Sequence, residues 1–410
     1  MQVNAERIMK RIQDLAQFNA TPGQGITRFS YSPQDAQARA YLMEQFRELG
    51  LTVRVDPMGN IRARYDGTDP ALAPLWIGSH IDSVRHGGPY DGIVGVVGAL
   101  ETVSVFREAG HRPRRSVEVV IFPEEEGSNF GTTMVGSKCL VGKLDLHGLE
   151  QLRAEDGRTC VQVAEDFGLH PREVAKCRLQ PGEVDAMVEL HIEQGIVLDR
   201  KGLRLGVVQA IAGMVTVRVT VTGESNHAGA TPMDMRRDPL VAAARLIGRV
   251  QEIAASECGK ATVATVGEIL CSPNMPNVIP GQVSFTVDIR DIRDEGIDRA
   301  LELLHQAIRE ITDAGFTVTV ETIGRNQPVA LTERVVSAVR EAAESCGAPY
   351  LDMNSGAVHD TSMLALVTDV GMIFIPSVDG KSHNPQEYTA PEDIALGCQV
   401  LLETALRLTA

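Results

Sequence analysis

The chain has 410 residues, of which 43% are hydrophobic and 23% are charged, a globular composition that excludes an intrinsically disordered protein. Its 39 basic and 54 acidic residues give a formal net charge of −15, which excludes general binding of nucleic acids through the overall field. Since single hydrophobic cores rarely grow beyond about 300 residues, we expect two domains.

The N-terminal stretch MQVNAERIMKRIQDLAQF predicts a helix, because apolar positions recur at helical spacing with charges between them. It lacks the apolar core and cleavage site of a signal peptide, and apolar stretches such as IVGVVGAL are too short to cross a bilayer. Seven cysteines are scattered without a CxxC spacing, and their odd number argues against a disulfide framework. We therefore expect a cytoplasmic protein with reduced thiols and no membrane partner.

Short apolar runs then alternate with helical patterns between residues 71 and 195. The runs PLWIGSH, SVEVVIFP and DAMVELHI are typical of strands, and IVGVVGALETVSVFREAG is typical of a helix. The alternation returns near the C-terminus in the helix ERVVSAVREAAESCG, the strand GMIFIP and a closing helix from about Pro391. This order predicts an α/β domain with a mainly parallel sheet.

A segment with a different rhythm interrupts that pattern. Four predicted strands and two predicted helices follow one another in the order βαββαβ from about Gly213 to Gly324, which is the order of a ferredoxin-like unit. We therefore predict a discontinuous first domain, residues 1–212 and 326–410, and an inserted second domain, residues 213–325.

Metal-binding side chains follow the strands predicted for the first domain. His80 comes at the end of PLWIGSH, the triple glutamate of FPEEEGS follows VEVVIF, His191 follows AMVEL, and His383 follows MIFIPSVDGKS. The carboxyl ends of the strands are where open α/β sheets bind ligands. We therefore expect these segments to meet at one edge of the sheet.

Histidine nitrogens with carboxylate oxygens suit zinc, and a carboxylate-rich mixture also suits manganese or cobalt. Each motif alone is common in structural networks and solvated faces, so only their joint placement favours a metal site. Glu125 would lie beside the metals, free to accept a proton from a water. One aspartate that bridges two ions, each completed by a histidine and one further ligand, accounts for five residues: His80, Asp91, Glu126, His191 and His383.

Seven motifs carry a family resemblance: GSHIDSV, GGPYDGIVGV, EEEGSNF, ELHIEQG, GESNHAGATPM, DIRD and GKSHNPQEYT. Over almost its whole length the chain resembles the metal-dependent amidohydrolases of the peptidase M20 superfamily, in the branch of N-carbamoyl-L-amino acid hydrolases and allantoate amidohydrolases. The resemblance implies two divalent metal ions per subunit, zinc or manganese, with cobalt or nickel as alternatives. It also implies that the inserted domain is a lid through which two subunits form a homodimer.

Matched position by position, the resemblance assigns His80, Asp91 and His191 to one ion. It assigns Asp91, Glu126 and His383 to the other ion, with Asp91 as the bridge. The other two matched residues are Glu125, which corresponds to the general base, and Asp82, which corresponds to the carboxylate that orients His80.

The resemblance further implies four substrate contacts. His227 would be a substrate or oxyanion donor that reaches the active site of the partner subunit, unless it is only a loop histidine. Arg290 would clamp a substrate carboxylate, a task that suits a planar guanidinium, unless it forms a surface ion pair with a neighbouring aspartate. Asn277 would bind the substrate, and Gln194 would contact the ureido group.

These positions imply hydrolysis of the ureido C–N bond of an N-carbamoyl-L-amino acid, which releases ammonia, carbon dioxide and the amino acid. Histidine at position 191 favours this branch over the peptidases, which generally carry a carboxylate there. Allantoate is the alternative substrate, because EEEGS, GESNHAG and SHNP look closer to allantoate amidohydrolases. A dipeptidase or aminoacylase of the M20 type and a catalytically degenerate binding protein are further hypotheses.

Two residues depart from the family pattern. Asn129, in EEGSNF, stands where the family usually has arginine, and Val358, in SGAVHD, replaces the usual glycine. Either change can reshape the substrate pocket.

Overall fold

The structure, a computed structural model, describes every residue from Met1 to Ala410. The chain divides into a first unit, Met1–Gln209 with Leu331–Ala410, and an inserted unit, Ala210–Ala330. None of the helices combines the length with the apolar character that crossing a membrane requires.

The elements before and at the start of the insertion are α1 (Ala5–Ala16), α2 (Pro33–Glu48), β1 (Thr52–Val55), β2 (Ile61–Tyr65), β3 (Leu75–His80), α3 (Ile93–Glu108), β4 (Val117–Phe122), α4 (Val135–Leu140), α5 (Leu146–Gln151), α6 (Cys160–Asp166), β5 (Ala186–Ile192), α7 (Val197–Lys201) and β6 (Leu205–Ile211). The inserted unit continues with β7 (Gly213–Thr222), β8 (Asn226–His227), α8 (Pro239–Glu252), β9 (Val263–Thr265), β10 (Ile269–Ser272), β11 (Val278–Ile279), β12 (Gln282–Asp291), α9 (Asp294–Asp313), β13 (Thr317–Asn326) and β14 (Val329–Ala330). The chain ends with α10 (Glu333–Ser345), β15 (Tyr350–Ser355), α11 (Asp360–Leu364), β16 (Asp369–Ile375) and α12 (Pro391–Leu408).

The larger sheet has nine strands and is mixed. Its order is β1-β2-β4-β3-β5-β16-β6-β14, and β15 also pairs with β6. The neighbours β4, β3, β5 and β16 are parallel, whereas β1, β2, β6 and β14 pair antiparallel at the two sides. The prediction of a mainly parallel sheet therefore describes the four central strands but not the flanks. Helical crossovers give parallel neighbours, while short connections such as residues 56–60 give hairpins.

The central strands are buried along their whole length, apart from the first residue of β16. Strands covered on both faces need continuous apolar runs, which explains why their sequences do not alternate. Helix α3 is buried from Ile93 to Phe106 and packs against β3, β5 and α12, so most of its residues are apolar. Its buried Glu101 is paired with Arg7 and Arg11. The carboxyl ends of four parallel strands thus lie at one edge of a packed platform.

The inserted unit contains a five-stranded antiparallel sheet of order β10-β12-β7-β13, in which β9 also pairs with β12. Burial alternates along β7 and β12, so one face of the sheet packs against α8 and α9. The core of this unit includes Val217, Val219, Phe285, Leu246 and Leu304. A separate two-stranded ribbon joins β8 to β11.

Candidate metal centre

The predicted metal ligands lie at the carboxyl ends of the four parallel strands. His80 ends β3, and His191 lies one residue before the end of β5. Glu126 follows β4, and His383 follows β16. Asp91 lies in the turn that leads into α3. Because these strands are parallel neighbours, the five side chains meet at one edge of the sheet.

The first donor group consists of His80, Asp91 and His191, all buried. Oδ1 of Asp91 lies 3.1 Å from Nε2 of His191 and 3.6 Å from Nε2 of His80. Nδ1 of His80 lies 3.1 Å from the main-chain oxygen of Asp82. Nδ1 of His191 lies 2.8 Å from the main-chain oxygen of Ile192. These contacts place a ring proton on Nδ1 of each histidine, so Nε2 is the ring atom that each offers to a cation.

The second donor group consists of Asp91, Glu126 and His383. Nε2 of His383 lies 3.2 Å from Oδ2 of Asp91 and 3.4 Å from Oε2 of Glu126. The His383 side chain is 47% exposed, so this group is the more open of the two. Asp91 offers one oxygen to each group, which is the arrangement of a bridging carboxylate.

The first donor group fits a divalent cation. Nε2 of His191 is buried and has no hydrogen-bond partner, although Oδ1 of Asp91 is only 3.1 Å away. Ligand atoms held about 2.1 Å from a tetrahedral zinc ion lie about 3.4 Å from one another. The separations of 3.1 and 3.6 Å around Asp91 bracket that value.

Electrostatics support the same conclusion, because buried carboxylates outnumber the cationic groups around them. Burial and the neighbouring Glu126 raise the pKa of Glu125 well above its usual value, against the effect of His80. Burial and Asp91 raise the pKa of Glu126 to about 8. The hydrogen bond to Asp91 raises the pKa of His383 to about 9. A bound divalent cation would supply the missing positive charge.

Glu125 faces the first donor group without belonging to it. Its Oε2 lies 3.8 Å from Nε2 of His80, and its side chain is buried. The Asp82 carboxylate accepts hydrogen bonds from the main-chain N–H groups of Glu125, at 3.3 Å, and Glu126, at 3.1 Å. Asp82 thereby holds both glutamates at the site. Only its main-chain oxygen is within hydrogen-bond distance of His80, since the carboxylate is 3.7 Å away.

The turn after β4 is held by Glu124 and Asn129. Glu124 has a left-handed backbone, with φ of 56°, and its carboxylate accepts N–H groups from Asn129 at 2.8 Å and Phe130 at 3.0 Å. The Asn129 amide donates to the main-chain oxygen of Ser30 at 2.9 Å. Asn129 therefore stabilises the turn that presents the two glutamates after Glu124.

Gly92, between Asp91 and α3, is required by close packing. Its φ is +68°, and a Cβ atom there would lie 2.5 Å from Cε1 and 2.6 Å from Nε2 of His80. A side chain at this position would displace the imidazole, so glycine at position 92 leaves room for the ring of His80.

Gln194 lies against the second donor group. Its backbone is left-handed, with φ of 58°, and its N–H donates to Oγ of Ser377 at 3.0 Å. Its Nε2 lies 2.7 Å from Oδ2 of Asp91 and 3.1 Å from Nε2 of His383. Its Oε1 is buried without a partner. Gln194 therefore lies at the site, where its amide contacts Asp91 and His383, and its contact with a ureido group stays a prediction.

The other predicted substrate residues lie in the inserted unit. His227 is exposed on β8, and the pairing of β8 with β11 brings it next to Asn277, whose main-chain oxygen accepts the N–H of Ala228 at 3.0 Å. Arg290 lies on β12, and its Nε donates to Oδ1 of Asp288 at 2.8 Å. The structure therefore places two of the three side by side and shows Arg290 in an ion pair.

Part of a buried polar layer beneath the histidines, Glu189 with Ser79 and Thr361, was missed by sequence reasoning. Glu189 accepts hydroxyl hydrogens from Ser79 at 2.6 Å and Thr361 at 2.5 Å. The His359 ring packs edge-on against His191, with centroids 4.6 Å apart. Glu189, His191 and His359 offer a further set of donors, but both oxygens of Glu189 already accept hydrogen bonds. A charged residue inside the apolar strand AMVELHI was the available indication of this layer.

Comparison with known proteins identifies the family. A model of the peptidase family M20/M25/M40 matches residues 76–407, a stretch that includes all five donors. The chain belongs to this family. Its members are metal-dependent hydrolases, in agreement with the candidate metal-binding groups described above.

Individual relatives extend over nearly the whole chain. The N-carbamoyl-L-amino-acid amidohydrolase of Paenarthrobacter aurescens is 41% identical over 97% of this chain and 96% of its own. The allantoate amidohydrolase of Escherichia coli is 35% identical over 94% of each chain. The crystal structure of an amidase of the hydantoinase/carbamoylase family from Burkholderia multivorans is 37% identical, with a TM-score of 0.93, and covers 100% of this chain and 98% of its own.

Proposed function

We propose that the protein hydrolyses the ureido C–N bond of an N-carbamoyl-L-amino acid and releases ammonia, carbon dioxide and the amino acid. The observation that carries this function is the buried Glu125 carboxylate beside two donor groups that share Asp91. The relative that is 41% identical acts, by its name, on N-carbamoyl-L-amino acids, which supports the substrate class.

Two divalent ions are part of the proposal. His80, Asp91 and His191 would hold one, and Asp91, Glu126 and His383 would hold the other. Zinc or manganese suits these nitrogen and oxygen donors, as do cobalt and nickel. Divalent ions bound there would make a nearby water more acidic and polarise the carbonyl of the substrate.

Glu125 would move the protons of the reaction. Its carboxylate accepts a proton from the water that attacks the ureido carbon and returns it to the departing nitrogen, so the C–N bond breaks and ammonia leaves. The remaining carbamate then loses carbon dioxide to give the amino acid. Burial raises the pKa of Glu125, which makes its carboxylate a stronger base than an exposed glutamate.

Residues 213–325 would form a lid over a catalytic domain of residues 1–212 and 326–410. In this proposal the guanidinium of Arg290 binds the substrate carboxylate, and Asn277 also contacts the substrate. His227 reaches the active site of the partner subunit and contacts the substrate bound there. The adjacency of His227, on β8, and Asn277, directly before β11, supports a shared task. Gln194 would contact the ureido group from the side of the second donor group.

A homodimer through the inserted unit is part of the same proposal. Ile269 and Leu270, on the edge strand β10, are 50% and 55% exposed, and Leu240 and Val241 on α8 are also exposed. Exposed apolar residues on an edge strand favour pairing with a second chain.

Ammonia release tests the function. Metal-stripped protein is reloaded separately with zinc and manganese and supplied with N-carbamoyl-L-amino acids, allantoate and dipeptides. We expect metal-dependent ammonia release, fastest from an N-carbamoyl-L-amino acid. Faster turnover of allantoate would instead favour the alternative function, that of an allantoate amidohydrolase like the relative from Escherichia coli. Cleavage of a dipeptide without action on any ureido acid would contradict the proposal.

A further inference from the structure

A buried carboxylate outside the two donor groups connects their loops. Glu387 is 4% exposed and lies in the segment after His383. Its Oε1 accepts the main-chain N–H groups of Tyr90, at 2.9 Å, and of Asp91, at 3.1 Å. One oxygen of Glu387 thus fixes the backbone of the residue that is shared by both donor groups.

The other oxygen of Glu387 connects to the same aspartate through a hydroxyl. Oγ of Ser382 lies 2.9 Å from Oε2 of Glu387 and 3.0 Å from Oδ2 of Asp91. Ser382 directly precedes His383 in the chain. Asp91 is therefore held both at its main chain and at its carboxylate by the loop that carries His383.

The loop that carries Asp91 is shaped to admit this carboxylate. A Cβ atom at Gly88 would lie 2.3 Å from Cβ, Cδ and Oε1 of Glu387. No residue with a side chain fits at that separation. Gly88 thus leaves the space through which Glu387 reaches the main chain of Tyr90 and Asp91.

The loop that carries His383 is strained and needs such an anchor. His383 has a φ of +58°, in the left-handed region that non-glycine residues rarely adopt. Strain of this kind persists only where the surroundings over-determine the backbone. Within the loop, the side-chain amide of Asn384 donates to the main-chain oxygen of Ser382 at 2.9 Å. The N–H of Glu387 donates to the main-chain oxygen of Asn384 at 3.1 Å.

The negative charge of Glu387 also suits a position beside bound cations. Its three hydrogen-bond partners are two N–H groups and one hydroxyl, none of which carries a positive charge. Ser382 has a single hydroxyl proton to offer to two carboxylates. Cations held by Asp91 would offset both negative charges, which a purely structural hydrogen bond does not require.

We propose that Glu387 is a positioning residue of the metal centre. Its carboxylate ties the Asp91 loop to the His383 loop and sets the separation of these two ligands. The assignment rests on the metal centre of the proposed function and does not depend on the substrate.

Zinc affinity, measured by competition with a chelator, tests the assignment in the full-length protein. We expect Glu387→Ala to weaken the binding of at least one ion by about 10- to 100-fold, the usual effect of losing a group that orients a ligand. The visible absorption of the cobalt-loaded variant is expected to shift, because the geometry around the ion changes. Glu387→Gln keeps an oxygen for both N–H groups but removes the negative charge, so it is expected to weaken zinc binding less than Glu387→Ala does.

Glu118 provides the matched control, since it is also 4% exposed and lies in the same unit. It is paired with Arg62, Arg64 and the indole of Trp76 and contacts no donor group. Glu118→Ala is expected to lower the melting temperature while leaving zinc affinity and the cobalt spectrum unchanged.

Folded Glu387→Ala protein with wild-type zinc affinity and an unchanged cobalt spectrum would overturn the assignment. If that variant does not fold, Ser382→Ala decides, because it removes only the hydroxyl between the two carboxylates. Unchanged affinity in Ser382→Ala would then count against Glu387 as a positioning residue. Hydrolysis of ureido acids is assayed separately, so an incorrect substrate leaves this comparison of affinities intact.

Discussion

Asp91 connects the two donor groups because its carboxylate oxygens face different histidines. Oδ1 lies 3.1 Å from Nε2 of His191, and Oδ2 lies 3.2 Å from Nε2 of His383. The orientation of one side chain therefore determines the geometry of both groups. Its main chain is held from outside, which makes the residues around Asp91 as important as the ligands themselves.

Glu125→Gln tests the proton-transfer role at the scale of a single residue. The amide keeps the shape of the side chain but cannot accept a proton, so we expect turnover to fall by about 10³-fold or more, with metal content near wild type. Metal analysis and ammonia release measure the two quantities.

Glu124→Gln is the matched control for this substitution. Oε1 of Glu124 accepts the N–H groups of both Asn129 and Phe130, and the amide oxygen of a glutamine can accept the same two groups. We expect this variant to retain turnover within a few-fold of the wild type. Substantial turnover by Glu125→Gln would contradict the assignment of the base.

The positions of four donors could be predicted because each lies at or after the end of an apolar strand that is recognisable in the sequence, whereas Asp91 lies in the turn before α3. Their roles as ligands stay predictions. The contacts that orient them could not be predicted, because they depend on loop backbones. Asp82 uses its main-chain oxygen toward His80, and Glu387 reaches Asp91 only where Gly88 leaves space. Residue types alone do not determine such geometry.

At the scale of elements, the site depends on four parallel strands and on the start of α3. The apolar runs predicted the strands, and the helices between them predicted parallel neighbours, which the central part of the sheet confirms. The antiparallel flanks were not predicted, because an apolar run does not encode the direction of its neighbour. The short strands β8 and β11 were also missed, since two residues carry no periodic pattern.

Gly92→Ala tests the packing at the start of α3. A Cβ atom would collide with the imidazole of His80, so we expect a loss of about 3 kcal/mol in the free energy of unfolding and a weaker affinity for zinc. Chemical denaturation and zinc titration measure these effects.

Gly110→Ala separates the collision from backbone strain. Gly110 follows the end of α3, its φ is +61°, and a Cβ atom there has no neighbour within 4 Å. This variant is expected to lose only about 1–2 kcal/mol, from the left-handed backbone, and to keep its zinc affinity. Equal losses of stability and affinity in the two variants would show that contact with His80 is not the cause.

At the scale of the whole molecule, the chain is a mixed α/β protein with an insertion between the segments that build the larger sheet. The change from continuous apolar runs to alternation predicted that insertion from sequence. The lid, the homodimer and the predicted domain limits stay predictions, because no pattern within one chain shows how surfaces are used in an assembly.

Ile269→Lys tests the dimer. A charge on the edge strand β10 opposes pairing with a second chain, so we expect the mass measured by light scattering to fall from twice 44.3 kDa to the monomer value. Ile323→Lys on β13, at the opposite edge of the same sheet, replaces an isoleucine of similar exposure, 52% against 50%, and is expected to stay dimeric. A wild-type monomer, or dissociation only in the β13 variant, would contradict the proposed surface.

Metal loading should stabilise the first unit selectively. Zinc at about 1,000 times its dissociation constant stabilises the folded state by about 4 kcal/mol, so amide hydrogens in β3, β5 and β16 are expected to exchange more slowly. Those in β7 and β12 of the inserted unit serve as the internal control and are expected to exchange at an unchanged rate. Equal protection of both units by zinc would contradict a metal site confined to the first unit.

The position of β16 has a consequence for biosynthesis. This strand, Asp369–Ile375, lies between β5 and β6 in the sheet, although both neighbours are translated more than 150 residues earlier. While the ribosome completes the chain, β5 and β6 each have an edge without its final partner, whereas the inserted unit is contiguous and can fold as soon as it emerges. Nascent chains that end before residue 369 would therefore expose apolar strand edges, which makes them prone to aggregation and natural clients of chaperones.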